Sequence, residues 1–194
     1  MRLIACCFVL LLISASPAAP TTAPSTAPSS PAHRAYENFK AAAGEWEGHS
    51  TKGWTERLNL RTIAGGSCVM EMSQFAHGPD DDGMVTMYHM DGEHLMLTHY
   101  CMARNQPRMR ATEISEDGKS VIFTFLDGTN LPSRNSGHMD KAVFHFDGPD
   151  AMRSQWTFYA KGQEQWMEEI TYRRISAAAG SPATQPSQRE EPTR

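Results

Sequence analysis

Cysteine is scarce in this 194-residue chain: there are four, with Cys6 and Cys7 in the first apolar run and only Cys68 and Cys101 beyond it. That count excludes a small scaffold stapled by many disulfides. Basic residues form no stripe and the formal net charge is −4, so the electrostatic footprint of a nucleic-acid binder is missing. After the N-terminal run, no apolar stretch reaches the length of a membrane-spanning helix. No haem-attachment motif occurs. The acidic stretch 79–83, PDDDG, lacks the alternating spacing of a calcium loop and reads as a solvated turn.

What is present begins with a leader. Arg2 precedes an apolar run over 3–13, and small residues follow, the layout of a secretory signal peptide over residues 1–18 with a cut after Ala15 or Ala18. LIAC at 3–6 superficially matches a lipoprotein box, but it precedes the apolar core, so lipidation at Cys6 is rejected. Residues 19–32 are built almost wholly from Pro, Ala, Ser and Thr and read as an extended linker. The 176–194 tail has the same character and reads as disordered. One body remains, 33–175, the size of a single domain. The mature protein is therefore expected to be exported, periplasmic or extracellular, with the signal peptide cleaved.

Within that body Tyr36, Phe39 and Ala43 recur at helical intervals, with Gly44 as a stop. From there the pattern alternates. Strands are predicted near 45–52, 55–63, 67–76, 83–90, 93–101, 108–115, 120–127, 139–147, 151–160 and 164–174. Turn residues separate them, among them Gly65-Gly66, Asp91-Gly92, Asp117-Gly118 and Asp147-Gly148. A meander of similar strands removes its edges by closing, so the expected fold is all-β: an up-and-down antiparallel β-barrel of about ten strands with a short N-terminal helix.

The sequence GEW at 44–46 follows the short helix, and TYRR at 171–174 ends the last strand. This pairing resembles the Gly-x-Trp start of lipocalins and related calycin barrels, in which a basic residue of the last strand lies over that Trp. The resemblance implies structural roles for Gly44, Trp46 and Arg173 or Arg174, and it covers about the whole body. The physics agrees with it: closing the barrel brings the terminal strands together, so a guanidinium can stack on the indole. The strings His-Tyr-Cys (99–101) and Asn-Gln-Pro-Arg-Met (105–109) are also similar to those of uncharacterised secreted bacterial lipocalin-like proteins.

Alternation divides the hairpin around Asp91-Gly92 into two faces. One carries Val85, Met87, His89, His94, Met96, Thr98 and Tyr100. The other carries Met84, Thr86, Tyr88, Leu95, Leu97, His99 and Cys101. If Ala64-Gly65-Gly66 is a three-residue loop, Leu58 and Leu60 join Met70 and Met72, and the first of these faces with them. The expected interior is therefore rich in Met and Phe. A small apolar or amphipathic ligand would lie against Met70, Met72, Met87, Met96, Tyr100, Phe123 and Phe125, with Arg108 meeting a carboxylate. His99 and Cys101 would face outward beside Leu95 and Leu97, which a covering helix or a homodimer contact would shield. The same register puts Cys68 and Cys101 roughly 30 Å apart along the strands, too far for a disulfide.

Other chemistries compete with this reading. His89, His94, His99 and Cys101 lie among several methionines in one hairpin and suit Cu(I) by ligand type, but no spaced motif of known specificity accompanies them. Haem on His99 or His138 is a further alternative. A Cys101–His99 enzyme is disfavoured because the two α-carbons stand a strand repeat apart and nothing places Asn105 or Gln106 as the orienting third group. No catalytic residue and no cofactor is expected, and the role anticipated is ligand binding rather than catalysis.

Overall fold

The computed structural model describes residues 29–75 and 83–177. The proposed signal peptide, most of the linker, the 79–82 acidic residues and most of the tail lie outside the described residues. Helix α1 (Pro31–Ala41) starts earlier than its apolar spacing suggests, inside the stretch assigned to the linker. Pro31 occupies the first helical turn, where its missing N–H costs nothing, and the Ser30 hydroxyl caps His33 N–H at 3.4 Å.

Ten strands follow: β1 (Gly44–Ser50), β2 (Thr55–Ile63), β3 (Cys68–Phe75), β4 (Met84–Asp91), β5 (His94–Tyr100), β6 (Gln106–Ile114), β7 (Ser120–Thr129), β8 (His138–Gly148), β9 (Ala151–Ala160) and β10 (Gln163–Ala177). Each pairs antiparallel with its sequence neighbours, and β1 pairs with β10 to close the barrel. The expected all-β meander is thus the observed one.

Side-chain alternation follows the pleat, but the inward face differs from the expectation for half the barrel. Leu58 and Leu60 point inward and are buried. Their partners across β3 are Ser73 and Glu71, not methionines. The cause is one residue of loop: Ile63 pairs with Cys68, leaving four residues (64–67) between strands instead of three. Because side chains alternate with period two, that residue reverses the face of β3 and of every strand registered on it. Val69, Glu71, Thr86, Tyr88, Leu95, Leu97 and His99 are consequently buried. Met70 and Met87, which are cross-strand partners, alternate with them on the outer wall. The hairpin turn is also displaced. Asp91 pairs with His94, so His89 faces Met96 and Met87 faces Thr98, rather than His89 facing His94. The two-residue slip leaves the face partition intact.

One end of the barrel is shut by α1. Phe39 stacks on Tyr88 with centroids 4.1 Å apart and meets Phe144 and Phe146 edge-on at 5.3 and 4.9 Å. Fully buried Phe123 joins this cluster. The helix is tied to the β6–β7 turn, where Arg34 contacts Glu116 and Asn38 donates to the Asp117 carbonyl. Gly118 (φ 72°) is required there, since a Cβ would lie 2.4 Å from the Ala35 nitrogen.

The helix C-terminus is latched to the barrel seam. Trp46 donates its indole N–H to the Ala42 carbonyl at 2.9 Å, and the Arg174 guanidinium lies 4.2 Å above the Trp46 ring. Arg174 also donates to the carbonyls of Ala43 (2.7 Å) and Ala41 (3.1 Å), placing a cation where the helix leaves its last carbonyls unpaired. The stacking partner is therefore Arg174 and not Arg173, which is exposed on the other face of β10. Gly44 opens β1 at φ 142°, as the first residue of the Gly-x-Trp string.

Candidate functional site: a cavity at the open end

Opposite α1 the described residues leave the barrel interior unfilled. A cavity of about 550 Å³ lies at the end bounded by the β1–β2, β5–β6 and β9–β10 connections. Its walls are apolar, with Trp54, Phe75, Met84, Met139, Trp156 and Phe158 contributing most of the large side chains, and Met167 and Ile170 completing them. Cys101, Met102 and Ala103 from the β5–β6 connection form part of its rim.

Deeper in, the lining becomes polar. Glu71 and Glu56 are both buried, each held by a tyrosine. Tyr88 donates to Glu71 at 2.9 Å, and Tyr172 donates to Glu56. Mid-strand Gly48 makes room for that second pair, since a Cβ there would stand 2.6 Å from the Tyr172 ring. The Ser154 hydroxyl reaches the Tyr172 oxygen at 3.2 Å. Thr86 bonds His99 Nδ1 at 2.9 Å and also interacts with Glu71. Glu71, Thr86 and His99 thus form a continuous polar line across β3, β4 and β5.

Burial governs the charges. Removal from water pushes Glu71 up to about 7 against the opposing bonds from Tyr88 and Thr86. The same cause pushes His99 down to about 4, so its imidazole is neutral. Tyr88 and Tyr172 are raised well above the usual phenol value, first by burial and then by their carboxyl neighbours. Glu168, nearer the rim, is raised by burial in spite of Lys52 and a bond from Trp54. Buried His99 has its ring 5.0 Å from that of Trp156, and its Nε2 has no hydrogen-bond partner.

None of the eight side chains expected to hold a ligand lines this cavity. Met70, Met72, Met87, Met96 and Tyr100 share the outward face for the loop-length reason given above. Met72 and Tyr100 are plainly exposed, whereas Met96 is buried on that face between its partners His89 and Arg110. Arg108 is exposed and forms a bidentate pair with Asp127. Phe123 is inside but belongs to the closed end. Phe125 packs on buried His138, beneath the Arg134 guanidinium at 4.5 Å. His99 and Cys101, expected outside, line the cavity, and Leu95 and Leu97 are fully buried, so the apolar exposure that would have called for a homodimer does not arise.

The barrel wall separates His89 and His94 from His99 and Cys101, and among the described residues no three His, Cys, Asp or Glu side chains gather in a form that could hold a metal ion. Both Cys68 and Cys101 are free thiols, each raised by burial. His99 bonds Thr86 rather than Cys101, so it does not serve Cys101 as the adjacent base that activates a nucleophile. His138, the other candidate haem ligand, is engaged by Arg134 and by the Ser136 carbonyl at 2.7 Å.

The sequence reasoning missed Glu56, Glu71, Tyr88 and Tyr172. The signal available was glycine in the middle of β1: Gly48 marks the close approach that admits Tyr172.

No protein-family model matches the chain, and no curated protein matches it. Among solved structures, the chain is similar to a crystal structure of a protein of unknown function from the DUF3598 family of Nostoc punctiforme PCC 73102. The TM-score is 0.48 at 12% identity, over 71% of this chain and 49% of that one. The chain thus spans about half the length of that neighbour.

Proposed function

We propose that this protein is an exported calycin-type barrel that binds one small apolar or amphipathic molecule in its open-end cavity, without catalysing a reaction. The observation that carries this reading is the cavity itself. Its volume of about 550 Å³ falls within the range of sites that engulf small molecules, and its walls are mostly aromatic and thioether side chains. The few polar groups converge at one place, the arrangement that orients an amphipathic ligand. Export rests on the leader-like residues 1–18 and is tested separately by N-terminal sequencing of the protein recovered outside the cytoplasm.

The binding reading is tested with Nile red, an uncharged apolar dye. Saturable binding at one dye per chain is expected, with energy transfer from Trp54 and Trp156. Ser73→Phe, which fills the cavity from its lining, should abolish it. Absence of saturable binding to the folded wild-type protein would overturn the proposal.

A further inference from the structure

Resting on that reading, we infer that the cavity selects ligands whose polar head donates hydrogen bonds, a protonated amine above all, and rejects carboxylate heads. The inference comes from an inventory of the lining. Three carboxyl groups, Glu56, Glu71 and Glu168, face the cavity, and among the described residues that line it there is no Lys or Arg. Lys52 on the exposed β1–β2 turn acts on Glu168 at the rim.

Several donors at the polar floor and rim are already committed. The Tyr88 proton goes to Glu71 and the Tyr172 proton to Glu56. Trp54 bonds Glu168. Thr86 has a single hydroxyl proton and stands between Glu71 and His99 Nδ1. Above about pH 7 the Glu71 carboxyl is ionised and can only accept, so in that range the proton goes to Glu71, and Thr86 then accepts from His99 Nδ1–H. This fixes the neutral imidazole with its proton on Nδ1. Nε2 is left as a bare lone pair, buried and without a partner among the described residues, on a residue that lines the cavity.

An unmatched buried acceptor carries a desolvation cost that a donor from the ligand removes. An ammonium head supplies donors and a positive charge beside carboxyl groups that burial has made reluctant to ionise. A hydroxyl head supplies the donor alone. A carboxylate head supplies neither and brings a like charge into the same enclosure. Arg108, the residue that sequence reasoning offered to a ligand carboxylate, is outside the barrel and paired with Asp127.

The test is displacement of Nile red by octylamine, octanol and octanoate, matched in tail, at about pH 8, where the amine is protonated and both the acid and Glu71 are ionised. The amine should compete best and octanol next, with octanoate weaker than the amine by roughly tenfold or more, equivalent to about 1.4 kcal/mol. Octanoate competing as well as octylamine overturns the inference while leaving the cavity reading intact. Failure of Nile red itself to bind removes both. Glu71→Gln should narrow the amine-over-carboxylate ratio. Should that variant fail to fold by circular dichroism, Glu56→Gln serves instead. A ratio unchanged in the folded variant also counts against the inference.

Discussion

The two ends of the barrel are built from the same ten strands and differ in what fills them. At the closed end, Phe39 of α1 enters a dry cluster of Tyr88, Phe123, Phe144 and Phe146, packed ring on ring. At the other end no helix enters among the described residues, the aromatic side chains Trp54, Trp156 and Phe158 stand around a cavity, and two carboxyls lie buried at its base. The difference teaches that closure of the sheet does not by itself fill a ten-strand interior. Side chains from outside the sheet fill one end, and among the described residues none fills the other. Tyr88 belongs to both regions, with its ring against Phe39 and its hydroxyl on Glu71.

The comparison can be broken most forcefully by truncating one aromatic residue at each end. Phe39→Ala should cost about 3–5 kcal/mol in urea unfolding, because a tightly packed ring leaves a void. Phe158→Ala should cost less than half of that, about 1–2 kcal/mol, because its surroundings are already hollow. Equal losses would show that the two ends are packed alike.

A second measurement sharpens the contrast in polarity. Between about pH 4.5 and 7 unfolded Glu71 is ionised while the folded form keeps its proton, so this group makes stability fall as pH rises, by on the order of 3 kcal/mol. His99 acts oppositely. From about pH 6.5 down to 4 the unfolded ring takes a proton that the folded one refuses, so stability falls as pH drops, by a similar amount. The two slopes offset one another where they overlap. The groups facing Glu71 are Tyr88 and Thr86 from β4, Tyr172 from β10 and, through Thr86, His99 from β5. Glu71→Gln should therefore expose the His99 slope, with stability rising from about pH 4 to 6.5 as read by unfolding midpoints. A profile as flat as the wild type would contradict the opposed pair.

The smallest effect concerns the latch at the closed end. Arg174→Gln should cost about 1–2 kcal/mol through the lost stack on Trp46 and the carbonyls of α1 left bare. The neighbouring Arg173→Gln should stay within about 0.5 kcal/mol, as an exposed substitution does. Thermal denaturation of the two variants side by side separates them.

The strands, their turns, the helix and the Trp46–arginine seam were legible in the sequence because each leaves a local mark: alternation, Gly-Asp punctuation, or a motif at the two ends of the chain. The face that each strand turns inward was not. It depends on the parity of a connection, and Ala64, Gly65 and Gly66 gave no sign that Ser67 also belonged to the loop. Everything placed relative to that turn inherited the error, including Tyr100 and the methionines, while Leu58 and Leu60, which precede it, did not. Glu71 and Glu56 look like surface residues by type, and only the tyrosines brought to them by distant strands explain their burial. The separation of Cys68 and Cys101 survived because the revised register still leaves them about five residues apart along the strands, roughly 17 Å.

The Arg174 latch also has a consequence for the order of folding. Its guanidinium reaches the Ala43 carbonyl across 131 residues of sequence, and β10 supplies the partner that β1 lacks until the tenth strand has been made. Neither the seam nor the end of the helix can form while the last strand is still being synthesised. Such long-range pairing makes closure slow. A chain made this way keeps its barrel open until the tenth strand is available to pair with the first.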